Sequence, residues 1–169
     1  MDVSAYYSIV SAINFTLLGL WWVAIKERTD IRRRNAAGQR MAYLVSLGFV
    51  IPGTVSLLAQ VAPGEPALWR ASFALAGLAG AIGLVMLGQA LQVTSGDTWV
   101  ARLLQFVGAP LYVLVAIVAA IPGIPDALDL RLTSIQFEAI LLTLLVFLGV
   151  QAAWVVAMTA PRDEADEVT

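Results

Sequence analysis

The chain has 169 residues, of which 60% are apolar and only 13% charged, with a formal net charge of −2 and a mean hydropathy of +0.83. A soluble domain carries about 25% charged residues, so this composition belongs to a membrane protein and leaves no length for a separate soluble domain. Cysteine and histidine are both absent, which excludes disulfides, thiolate nucleophiles, iron–sulfur ligation, imidazole metal centres and a Ser-His-Asp triad.

The first apolar run, Ala5–Ile25, is close to the ~20 residues that a helix needs to cross a ~30 Å hydrocarbon layer. Its only preceding charge is Asp2, and it is longer than the ~7–15 residues of a signal-peptide core, so it reads as a retained helix. Ser4, Ser8, Ser11 and Asn14 fall at spacings that keep them on one broad helical face.

The connection Lys26–Arg40 holds most of the basic residues: Lys26, Arg28, Arg32, Arg33, Arg34 and Arg40. Lys and Arg concentrate on the cytoplasmic side of membrane proteins. The Arg32–Arg34 triplet is also a candidate contact for anionic lipid head groups. Pressed against a bilayer, so short a patch does not suit nucleic acid.

The second run, Met41–Val61, carries Ser46, Gly53 and Gln60 at seven-residue intervals, with Ser56 beside them. Seven residues return to nearly the same face of an α-helix. Pro52 withholds an N–H from the carbonyl of Gly48, which makes Pro52–Gly53 a candidate gate. After a tight APGEP turn comes Ala67–Leu91, rich in Gly and Ala at spacings that permit close helix approach. Arg70 lies about one turn inside its start. The turn Gln92–Thr98 offers Ser95 or Asp97 as helix cap.

The fourth run, Val100–Ile121, is mostly aliphatic and reads as the lipid-facing helix. Its Pro110 frees a carbonyl near Phe106. The connection Pro122–Thr133 contains a DALDLRL segment that suits a short interfacial helix. The fifth run, Ser134–Met158, carries Glu138, the one acid clearly inside a span. Arg70 and Glu138 fall at similar depth with opposite charge and are expected to pair. Residues 161–169 form an acidic tail with no apolar periodicity, expected to be disordered.

The expected fold is therefore all-α: one domain, residues 1–160, forming a bundle of five transmembrane helices in the cell membrane. Eight basic residues fall on one side (the six above with Arg102 and Arg162) and two on the other, Arg70 and Arg131. That asymmetry puts the N-terminus outside and the C-terminus in the cytoplasm.

Intramembrane polar groups are expensive and mark candidate functional sites. The candidates for a transport path or gate are Ser8, Ser11, Asn14, Ser46, Pro52, Gly53, Ser56, Gln60 and Glu138. The reading is a small channel or transporter for an ion or solute. It is expected to form a homo-oligomer whose conduit lies between subunits, lined by the first two spans, because five helices fill their own centre. The alternative is a non-catalytic sensor or accessory subunit acting through helix contacts and the basic loop. No enzyme chemistry, cofactor or metal site is expected, and no motif carries a family resemblance.

Overall fold

A computed structural model describes residues 3–28, 36–61, 65–95, 99–121, 123–127, 129 and 131–158. Arg32, Arg33, Arg34, the side chains proposed to cap the fourth helix, and the tail 161–169 lie outside the described residues. Within them the chain is helical, without strands. We number the helices α1 (Val3–Glu27), α2 (Ala36–Val61), α3 (Pro66–Ser95), α4 (Trp99–Ala120), α5 (Ile124–Ala127) and α6 (Ser134–Met158). All but α5 are long and apolar enough to cross a membrane.

The helices extend past the apolar runs that announce them. α2 begins at Ala36, ahead of Met41, and α3 continues to Ser95, beyond Leu91. Backbone bonding follows helix geometry, whereas apolarity marks only the stretch that suits hydrocarbon. The start of α6 is set by a reciprocal cap: the Thr133 N–H donates to Gln136 Oε1 (3.0 Å), and the Gln136 N–H donates to Thr133 Oγ1 (3.4 Å). Each side chain satisfies a donor that the first helical turn leaves open. The short helix of the preceding connection is Ile124–Ala127, which takes in only the first two residues of the DALDLRL segment; beyond them Asp129 sits at φ 54°. A left-handed residue there interrupts any helix.

Helices adjacent in sequence pack as antiparallel neighbours: α1 on α2, α2 on α3 and α3 on α4. α6 closes the bundle against α1, α2 and α4. Where α2 crosses α6, Gly48 faces Gly149, and a Cβ added to Gly149 would lie 3.3 Å from the Gly48 carbonyl oxygen. That is the carbonyl from which Pro52 withholds an N–H, and α2 nevertheless runs unbroken through Pro52. The α3–α4 contact is closer still. A Cβ on Gly77 would come within 2.6 Å of the Tyr112 carbonyl oxygen and 2.7 Å of the Ala116 nitrogen, and the Tyr112 ring covers Gly80.

Burial corrects the expectation that the fourth span faces lipid. α1 is the peripheral helix, with 28% of its apolar window buried against 44% for α4. One side of α4, including Tyr112, Val115, Val118 and Ala119, lies in the core. Mean hydropathy cannot separate these cases, because a helix apolar all round suits either lipid or a packed interior.

α4 is not uniform. Leu104–Gly108 forms a π turn, in which the Ala109 N–H donates to the Leu104 carbonyl, before regular helix resumes at Ala109. A π turn one residue ahead of Pro110 accommodates the proline ring, which in an α-helix would strike the carbonyl of Phe106.

Candidate functional site

One end of the bundle gathers the N-terminal turns of α1, α3 and α6 with the C-terminal turn of α4. Tyr7 of α1 donates its hydroxyl hydrogen to the Ile135 carbonyl of α6 at 2.9 Å. Its ring meets Phe73 of α3 edge-on, with centroids 6.0 Å apart, and Phe73 meets Trp69 in the same way. The neighbouring Tyr6 donates to the Ala139 carbonyl at 2.7 Å and contacts the Thr143 hydroxyl. These bonds fix α1 to α6 at the first turns of both.

Glu138 lies one helical turn past Ile135. It is fully buried, and neither carboxyl oxygen has a hydrogen-bond partner. Tyr7 is its electrostatic neighbour, but the Tyr7 hydroxyl hydrogen is committed to the Ile135 carbonyl. On the same face of α6, Leu141, Leu142 and Leu145 are buried.

The pairing of Arg70 with Glu138 expected from sequence is not formed. The Arg70 Nε and a terminal guanidinium nitrogen donate to the carbonyls of Ala119 and Ala120, each at 2.8 Å. Arg70 therefore finishes the C-terminus of α4, where open carbonyls attract a cation. Equal depth does not imply a shared face. α3 packs chiefly on α2 and α4, and at this end Tyr7 of α1 bridges it to α6. Arg28 does for α6 what Arg70 does for α4, donating to the Ala157 carbonyl.

The polar stripes of α1 and α2 face each other within the subunit. Ser11, Asn14, Ser46 and Ser56 are all buried. A Cβ on Gly53 would lie 3.2 Å from Asn14 Cβ, so Pro52–Gly53 backs onto Asn14. Three residues from each of these, in the direction of the Tyr7 end, come Ser11 and Ser56. Every one of these groups bonds along its own helix: Ser11 to the Ser8 carbonyl, Asn14 Nδ2 to Val10, Ser46 to Ala42, Ser56 to Pro52 and Gln60 to Ser56. Toward the other end, Trp22 Nε1 donates to Ser46 Oγ and Trp21 Nε1 to the Ala42 carbonyl. Asn14 Oδ1 is buried without a partner.

This placement overturns one expectation. The faces read as lining a path between subunits are turned inward, so the argument for a homo-oligomeric conduit lapses. Ser4 and Ser8 are exposed and Gln60 half-buried; the rest of the stripe is core. Trp21 and Trp69 are also buried, at 4% and 8% exposure, and pack in the core.

Sequence reasoning passed over two tyrosines. Tyr7 shares a face with Ser11 and Asn14 at helical spacing, and that spacing could have shown it. Tyr112 is buried with its hydroxyl unpartnered; its mid-span position was the available signal. Compared with protein-family models, with curated proteins and with solved structures, the chain matches none.

Proposed function

We propose that the chain is a multi-pass membrane protein that carries a small cation, the proton foremost, with Glu138 as the site that takes it up and releases it. The observation that supports this is the burial of Glu138 with both carboxyl oxygens unpartnered. An ionised carboxyl without a partner in such a place costs several kcal/mol. Its charged form therefore needs a compensating cation. Hard metal ions require about six or more oxygen ligands, and among the described residues no cluster of acidic side chains gathers to supply them. A proton meets the need with a single bond.

In this reading the route continues within the subunit, along the α1–α2–α6 seam by Ser11 and Ser56 to Asn14. Each hydroxyl there can exchange its intrahelical bond for one to water or to its neighbour across the seam. Pro52 and the Gly48–Gly149 crossing give α2 a place to shift against α6, since the Gly48 carbonyl is held by no α2 N–H in α-helical register.

Proteoliposomes containing a pH-sensitive dye, driven by a potassium diffusion potential, test the reading. Glu138→Gln keeps the shape of the side chain and removes its titration. Proton flux should fall by about tenfold or more, equivalent to about 1.4 kcal/mol, with insertion and monodispersity unchanged. Wild-type flux in Glu138→Gln, or none in the wild type, would reject proton carriage and leave the accessory-subunit reading ahead.

The same reading takes the N-terminus as external and the C-terminus as cytoplasmic, on the strength of the basic residues between α1 and α2. Because the chain has no cysteine, a single introduced thiol reports its own side. Asn35→Cys should be protected from an impermeant thiol reagent in intact cells, and Gly64→Cys should label. The reverse pattern would invert the bundle.

A further inference from the structure

A sizeable concavity lies away from Glu138. It is an apolar groove of about 810 Å³ on the outer surface between α3 and α4, with Ile82, Val85, Ala109, Val113 and Ile117 among its walls and Gln105 and Pro110 also lining it. From Gln105 to Ile117 it follows ~18 Å of helix at ~1.5 Å per residue. All but one of its lining side chains are apolar; the exception is Gln105.

Two features concentrate hydrogen-bonding capacity near Gln105. The first is its side chain, which is held in place. It lies across Gly88, where a Cβ would come within 2.5 Å of Gln105 Cγ, and Gln92 Nε2 donates to its Oε1 at 3.1 Å. The second is backbone. In the π register, where the Ala109 N–H serves Leu104, the donor due to the Gln105 carbonyl is residue 110, and Pro110 has no N–H. In α register the same proline fails Phe106. The carbonyls of a helix point toward its C-terminus, and Gln105, Ala109 and Pro110 all line the groove. An acceptor left open by the proline thus lies along the wall of an otherwise apolar trough. An open backbone carbonyl in hydrocarbon is costly, and a hydroxyl offered by a lipid would satisfy it.

We infer that this groove binds a lipid with a hydroxyl group at the end of a single hydrocarbon chain, the chain lying along Val113 and Ile117 and the hydroxyl donating to the carbonyl that Pro110 leaves open. The site is independent of Glu138, and loss of either leaves the other reading standing. The Pro110 π turn then serves recognition: it creates an acceptor that a regular helix does not have.

The test is native mass spectrometry of the purified protein with equimolar oleyl alcohol and oleyl methyl ether, which differ in the donor alone. The wild type should retain one alcohol per chain in preference to the ether by about fivefold, equivalent to about 1 kcal/mol. Val113→Trp fills the trough from an exposed position and should abolish retention of both. Pro110→Ala supplies the missing N–H; it should still bind a chain but bring the alcohol-to-ether ratio close to one. Equal retention of both probes by the wild type, or an undiminished preference in Pro110→Ala, would overturn the inference. A dimer that excludes both probes and dissociates in Val113→Trp would also overturn it, by showing that a second copy covers the groove.

Discussion

Gly77→Ala should be the most damaging single-methyl change in this bundle. The added Cβ would meet the Tyr112 carbonyl oxygen at 2.6 Å and the Ala116 nitrogen at 2.7 Å. Both are backbone atoms of α4, so no rotamer change relieves the clash. The two helices must separate, and the Tyr112 ring loses its seat on Gly80. Overpacking of this kind costs typically 1–3 kcal/mol, and rigid backbone on both sides puts Gly77 at the upper end. Gly19→Ala is the matched control, because its Cβ would meet nothing within 4 Å. That change should be neutral or stabilising by up to ~1 kcal/mol through helix propensity. Unfolding in a mixed-micelle SDS titration separates the two. Equal midpoints for the variants would show that the α3–α4 contact is looser than described.

Glu138→Leu should produce the opposite sign. A paired carboxyl, as the sequence suggested, would be missed by the fold. The carboxyl in the structure has no hydrogen-bond partner, and buried Leu141, Leu142 and Leu145 share its face of α6, so leucine replaces an unsatisfied polar group with an apolar one suited to that face. Leaving a buried polar group unsatisfied costs about 1–3 kcal/mol, and the variant should gain stability on that scale while losing proton flux. A gain in stability with a loss of function is the behaviour of a strained site retained for its chemistry. Destabilisation in the same SDS titration would mean that Glu138 has a structural partner and would remove the main support for its proposed role.

The membrane character, the five helices and their order were legible because each apolar run is long and few charges interrupt it. Partner choice was not. Arg70 and Glu138 share depth and opposite sign, and sequence offers nothing to show that Ala119 and Ala120 present nearer acceptors. The inward turn of Ser11, Asn14, Ser46 and Ser56 was likewise hidden. A polar stripe gives a face without its direction, and in a bilayer both a neighbouring helix and a water path can satisfy it. Pro110 was visible as a helix interruption, but the π turn at Leu104–Gly108, which leaves the Gln105 carbonyl facing a residue without an N–H, was not. The Thr133–Gln136 cap could have been read directly from its spacing.

The ties between α1 and α6 bear on how the chain is made. Tyr6, Tyr7 and Arg28 all donate into α6, and the Tyr6 bond spans 133 residues. At about 5–20 residues per second, α1 and α2 wait on the order of ten seconds for those acceptors to leave the ribosome. During that interval the nascent bundle is an open arc, with the tyrosine hydroxyls, the Arg28 guanidinium and the inner face of α2 accessible to chaperones and membrane proteases. Arrival of the last helix closes the arc at both ends together. The bundle therefore closes only when its last helix is made, and a ribosome stalled before Ser134 should yield a chain that is degraded rather than stored.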